Sequence, residues 1–236
     1  MLAVLDCRAP RALTDWIASQ GNSVLCIPPH PALPAPVSAH PDMLLFFAAD
    51  AIYVTESYAR IAARELEQIA QVSQKNIRTV AEEYRTEYPF DVLLNAAPVG
   101  KYLFCLPNAT AKRITARKDY RICPVRQGYA KCSVIPVGDH ALMTADASIE
   151  RAARQNGLEV LRLQSGGIAL PGYDYGFPGG CASFAPYGGT RELYFGASPE
   201  YYPDVERMRT FCEAHGYRLL TPKSLAPTDV GTIFLI

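Results

Sequence analysis

A unit of strand, strand, helix and strand recurs along the chain, and this repeat limits the possible folds more than any other feature. Three segments share one half of the unit: "ALTDWIASQGNSVLCIP", "SIERAARQNGLEVLRL" and "VERMRTFCEAHGYRLLTP". Each is a helical pattern, then Gly21, Gly157 or Gly216, then an apolar strand. Glycine there supplies the left-handed C-cap that turns a helix toward the next strand. Asp146 or Ser148 is placed to cap the second helix, and Pro203 suits the start of the third. The other half is a hairpin pattern, two apolar runs around a short turn. It occurs in "DMLLFFAADAIYVT", "DVLLNAAPVGKYLFCL", "KCSVIPVGDHALMTA" and "CASFAPYGGTRELYFGA". The heads of the units, Asp42, Asp91, Cys132, Cys181 and Asp229, lie 49, 41, 49 and 48 residues apart. A period of that size marks an array of supersecondary units. The fifth unit opens with "DVGTIFLI" as the chain ends, and "MLAVLD" at the other terminus can supply its second strand. The terminal strands are therefore expected to pair and close a ring.

Two segments depart from the pattern. "SYARIAARELEQIAQVSQKNIRTVAEEY" reads as one long helix, and "NATAKRITARKDY" as a weaker one. "IPPHPALPAPVSAHP" is too rich in proline for helix interior or central strand, so it is expected to be a stiff extended crossover within a single domain spanning 1–236.

Composition narrows the function classes. Lys and Arg number 23 and Asp and Glu number 23, so the formal net charge is zero. A general nucleic-acid binder needs an excess of positive charge, and none is expected here. No run approaches the length of a membrane span, and "MLAVLDCRAP" lacks the basic and apolar regions of a signal peptide. Seven scattered cysteines without C-x-x-C spacing, and four unclustered histidines, point to reduced thiols in a cytoplasm and to no metal site. No glycine-rich nucleotide loop is present, so no cofactor is expected.

Five such units closed around an axis resemble the pentein fold, a five-bladed α/β-propeller of pseudo-fivefold repeats found in the guanidino-group-modifying enzymes. Those enzymes include arginine and agmatine deiminases, dimethylarginine dimethylaminohydrolase and amidinotransferases. More narrowly, "HPDMLLF", "YPFDVLLNAAPVG", "QGYAKCSV", "GYDYGFPGG" and "DVGTIFLI" resemble an uncharacterised bacterial family assigned to that fold. The resemblance implies that the heads of the units meet at the centre of the ring. It also implies a cysteine that attacks a guanidinium carbon, a histidine of a His-x-Asp motif that moves protons, and carboxylates that hold the cation. The substrate expected from it is a small guanidino or amidino compound, transformed through a covalent thiouronium-type intermediate. The group also contains members that only bind, so a non-catalytic protein for a small cation or a protein partner is the alternative.

His40-Pro41-Asp42 fits the His-x-Asp pattern. The residue before proline is held extended, and residues two apart on an extended chain share a side, so His40 and Asp42 are expected to face one pocket. Asp91 heads the next unit, with Asn95 four residues on. Cys132 heads the third, two steps from His40 around the ring, as in the enzymes. The rival nucleophile is Cys181, because the glycine pair in "GFPGGCASF" matches the approach to the enzymes' cysteine. Tyr129 is a candidate for the pocket mouth along with Tyr173, Tyr175 and Tyr187. Lys131, beside Cys132, is expected to point to the opposite face of a strand.

Overall fold

The computed structural model describes residues 1–236. Its strands fall into five small sheets, and four of them draw on one repeat each. The first carries β1 (Leu2–Asp6), α1 (Arg11–Ser19) and β2 (Ser23–Ile27). After a proline-rich stretch, a single helical turn α2 (Pro41–Leu44) leads into β3 (Phe46–Phe47), β4 (Ala51–Thr55), α3 (Glu56–Ile61), α4 (Ala63–Ser73) and β5 (Asn76–Val80). The next unit is β6 (Ala97–Val99), β7 (Tyr102–Cys105), α5 (Lys112–Thr115) and β8 (Arg121–Pro124). It is followed by β9 (Val134–Val137), β10 (Ala141–Thr144), α6 (Ala147–Gln155) and β11 (Glu159–Arg162). The last elements are β12 (Ser183–Phe184), β13 (Glu192–Tyr194), α7 (Val205–Ala214), β14 (Arg218–Leu220) and β15 (Ile233–Leu235).

The register repeats as the sequence pattern requires. β3–β4, β6–β7 and β9–β10 are antiparallel hairpins, and β4–β5, β7–β8 and β10–β11 are parallel pairs joined through a helix. β13 and β14 form the parallel half of a fourth unit, whose hairpin half is reduced to one bridge between Ala182 and Phe195. The termini complete the fifth: β15 runs antiparallel to β1, and β1 pairs in parallel with β2. β12 joins this last sheet on the far side of β15. The fold is thus mixed α/β, and its five sheets are separate ladders.

Local chemistry sets the element ends. Gly21, Gly157 and Gly216 have φ of 83°, 78° and 73°, the left-handed values that end α1, α6 and α7. Asp146 caps α6, accepting from the backbone N–H of Ser148 (2.7 Å) and Ile149 (2.9 Å). The stretch from Ser57 to Tyr84, expected to be one helix, breaks at Ala62 and ends at Ser73, where Gln74 takes φ 54°. The β-branched run "NIRTV" then forms β5, which restores the repeat. Past Ile27, the last residue of β2, the proline-rich stretch contains no strand, and its one 3₁₀ turn spans Ala35–Val37. No helix is long and apolar enough to cross a membrane.

Candidate active site

The unit heads Asp42, Cys132 and Asp229 are buried together, although none of them lies on a strand. Asp42 is in α2, Cys132 in a turn just before β9, and Asp229 in the loop before β15. The expected strand geometry at these heads is therefore replaced by turns. The reason lies in the residues: Pro41 starts a helical turn at its preferred N1 position, and the backbone N–H of Ser133 returns to Tyr129 O (3.1 Å). His40 does keep the extended backbone of a pre-proline residue, with ψ 120°.

Two glycines weld the three loops together. Gly180 N–H donates to Cys132 O (3.1 Å), and Gly180 O accepts from the N–H of Val230 (3.0 Å) and Thr232 (3.2 Å). Asp42 N–H in turn donates to Gly231 O (3.0 Å). A β-carbon at Gly179 would lie 2.5 Å from Cys132 O, and one at Gly180 would overlap the Asp229 carboxylate. "GFPGG" is thus required for close backbone approach, and what it cradles is Cys132 and Asp229. Cys181 itself is fully buried among apolar neighbours that include Phe195 and Met208, with its thiol donating to Thr228 O (3.2 Å), and it does not line the cavity described below.

Asn95 is the hub of the polar contacts. Its Oδ1 accepts from the N–H of Lys131 (2.7 Å) and Cys132 (3.4 Å). Its Nδ2 lies 3.2 Å from both Asp42 Oδ1 and Cys132 Sγ. Thr232, buried with φ 67°, donates to Asp42 Oδ2 (2.8 Å), with Gly179 O also in reach (3.0 Å). Lys131 does not point away, as a strand would have required. It is 3% exposed, its Nζ donates to Thr232 Oγ1 (3.2 Å), and its ammonium sits 5.0 Å from the centroid of Phe184. Burial pushes its pKa down to about 8, against the pull of Asp42, Cys132 and Asp229.

His40 stands between two carboxylates. Its Nε2 is 3.8 Å from Asp6 Oδ2 and its Nδ1 is 3.7 Å from Asp229 Oδ1, and Nδ1 has no hydrogen-bond partner. Asp6 is also gripped by Arg8, with Nη2 to Oδ2 at 2.6 Å. Asp229 accepts from Phe177 N–H (2.8 Å) and Gly231 N–H (3.0 Å). Burial raises its carboxyl pKa, which His40 partly offsets and Asp42 reinforces. Burial likewise pushes the Cys132 thiol up, with Asp42 and Asp229 adding to the effect. A ring nitrogen of His40, Cys132 Sγ and an oxygen of Asp42 lie within 4.8 Å of one another. These three donors could also ligate a divalent ion, although both Asp42 oxygens already accept hydrogen bonds.

Above this group is a cavity of about 200 Å³. His40, Cys132 and Asp229 contribute its polar side, and Val37, Leu170, Tyr129 and Phe177 most of its walls. Tyr129 stacks between Tyr88 and Phe177, with ring centroids 5.7 and 6.0 Å away. Its hydroxyl donates to Asp91 Oδ2 (2.5 Å). Asp91 is 1% exposed, its Oδ1 is unpartnered, and burial raises its pKa despite the Tyr129 bond. Asp91 and Asn95 are thus behind the lining. Tyr173 and Tyr175 are at the rim, whereas Tyr187 packs against Phe47 elsewhere.

Of the expected residues, His40, Cys132 and Tyr129 reach the cavity, Asp42, Asp91 and Asn95 support it, and Cys181 is remote. Asp6, Thr232 and the inward Lys131 were not foreseen. Asp229 was recognisable as a unit head, but Asp6 carries no such signal beyond ending the first strand.

The chain belongs to the family described as Family of unknown function (DUF6873), which matches residues 4–234. A search of curated proteins gave no match. Among solved structures, the chain is similar to three of dimethylarginine dimethylaminohydrolase, each at 12% identity over 94% of this chain. Two are adducts, one of a histidine-to-glycine variant with S-methyl-L-thiocitrulline and one with 4-chloro-2-hydroxymethylpyridine. Both have a TM-score of 0.54 and are covered over 92% of their length. The third, a cysteine-to-serine variant from Pseudomonas aeruginosa complexed with citrulline, has a TM-score of 0.50 and is covered over 91%. At this identity the likeness concerns the fold, which is that of the penteins.

Proposed function

We propose that this member of DUF6873 is a cysteine-dependent hydrolase or transferase acting on a small guanidino or amidino compound. In this reading its five units are the blades of one propeller domain. The observation that carries the reading is the approach of Cys132 Sγ and a His40 ring nitrogen to within 4.8 Å of each other, on one side of a cavity. That proximity brings one substrate group within reach of both nucleophile and proton donor. The fold shared with a guanidine-processing enzyme supports the substrate class, as fold-level analogy.

The chemistry follows from the charges. Asp229, which lines the cavity, pairs with the guanidinium, and Asp42 and Asp91 behind the lining add negative charge. A resting thiol pushed up by burial is a poor nucleophile. A bound cation next to the sulfur favours the thiolate, so the substrate itself promotes ionisation. The thiol proton passes to His40 as the sulfur attacks the guanidinium carbon, and a C–S bond forms. The C–N bond to the leaving amine breaks as His40 delivers a proton to that nitrogen. Water or a second amine gives a proton to His40 and attacks the same carbon, the C–S bond breaks, and His40 returns the proton to the Cys132 sulfur. Lys131 holds Asp42 through Thr232, and Asn95 fixes the thiol.

The test is release of ammonia or amine from a panel of guanidines and amidines by the wild-type chain, Cys132→Ser and His40→Asn. Each variant is expected to lose activity by a factor of roughly 10³ or more with unchanged circular dichroism. Turnover that survives Cys132→Ser would contradict covalent catalysis. One observation favours a second reading, a protein that binds a small cation without turning it over. Cys132 is only 2% exposed and its thiol is held protonated. Tight guanidine binding without product release by any probe would support that reading.

A further inference from the structure

The cavity's size and lining restrict the ligand beyond its cationic head. Its walls and rim present Tyr129, Phe177, Tyr173, Tyr175, Val37 and Leu170, and no Lys or Arg lines it. The acidic groups that do are Asp174 at the exposed rim and Asp229 at the buried end. A cleft that shares Tyr175 and Phe177 with this one holds Arg162, which is engaged by Glu150 (3.2 Å). A carboxylate on the ligand would therefore find no lysine or arginine to pair with in the lining, and an aspartate at the rim. An unpaired carboxylate there is repelled by Asp174 and poorly compensated for lost water, while a cation against the same aromatic rings is attracted by them. An apolar cavity of about 150 Å³ accommodates a benzene ring, so about 200 Å³ suits such a ring, or a short alkyl chain, with an amidinium attached.

We propose that the ligand is a small monocation: an amidinium or guanidinium bearing an aryl or short alkyl group and no carboxylate. This rests on the cationic-head reading above and names the rest of the molecule. Its head would meet Asp229 and the open Nδ1 side of His40, and its apolar body would lie against Tyr129 and Phe177. Free amino acids that carry a guanidino group would be excluded by their carboxylate.

The test is calorimetric binding to the full chain, using n-butylguanidine and benzamidine against 4-guanidinobutyrate and L-arginine. Where turnover interferes, the same titrations use Cys132→Ala. The expected result is that the two probes lacking a carboxylate bind about tenfold tighter or more. Asp174→Lys, an exposed rim change that spares the fold, should narrow that gap by raising the affinity for 4-guanidinobutyrate. Equal or tighter binding of the carboxylate-bearing probes would overturn this inference and leave the cationic-head reading intact. If none of the four binds, both fall. If the expected preference appears without turnover, this inference stands and only catalysis is lost.

Discussion

Asn95 accepts from two backbone N–H groups and sets its Nδ2 within 3.2 Å of two oxygens of Asp42 and the sulfurs of Met43 and Cys132. Asn95→Ala removes all of these partners at a site with no exposure, so it should destabilise the protein by about 2–4 kcal/mol in urea unfolding. Lys131 gives a pH signature. Its folded pKa, about 8, lies below the unfolded value near 10.4. The unfolded chain therefore binds more protons between those limits, and stability from this group rises with pH across that window. Wild type should gain on the order of 3 kcal/mol relative to Lys131→Met between about pH 8 and pH 10.4. A constant difference would show that Lys131 keeps an ordinary pKa. Repeat spacing marked Asp42 and Cys132 as unit heads, and the resemblance to the guanidino-group-modifying enzymes added His40 through its His-x-Asp motif and implied that the three meet. The inward turn of Lys131 was not legible. Strand alternation predicts the opposite face, and the tight turn at 130–133 removes that alternation.

At the scale of elements, the unit heads are built from turns that glycine makes possible. Gly231 has φ 70°, and a β-carbon there would overlap His40. Gly231→Ala combines left-handed strain with that clash. It should cost about 2 kcal/mol or more and weaken guanidine binding together with stability. By contrast, Asp146→Ala at the cap of α6 should cost about 1 kcal/mol and leave binding unchanged. Thermal unfolding and titration of both variants separate the two effects. Three of the four expected hairpins and the helices α1, α6 and α7 were readable from period and caps, whereas the fourth hairpin is reduced to one bridge and its first strand, β12, pairs with β15 instead. The end of α4 was not, because "AQVSQKNIRTV" keeps enough apolar spacing to read on as helix. The break comes at Gln74, a residue with no strong turn preference that nonetheless takes φ 54°.

At the scale of the molecule, the site exists only because distant segments are brought together. Asp6, His40, Cys132 and Asp229 come from opposite ends and the middle of the chain, and the β1–β15 pairing joins the termini beside them. Deleting residues 1–6 removes the only strand partner of β2 and one of the two partners of β15, and takes Asp6 from His40. The deletion is expected to abolish cooperative unfolding, because two of that sheet's three ladders are lost. The pairing of the termini followed from a count of half-units in the sequence. The carboxylates flanking His40 did not, since Asp6 and Asp229 become neighbours only through that closure.

The most direct measurement is the site and rate of alkylation by 2-chloroacetamidine, set against neutral iodoacetamide, between about pH 6 and pH 9. Peptide mapping should find the cationic reagent on Cys132, faster than on Cys181 or a model thiol, with the preference over iodoacetamide lost in Asp229→Asn. Labelling confined to the exposed Cys7 and Cys26, or a Cys132 indifferent to the charge of the reagent, would contradict a thiol that meets its cation in this cavity.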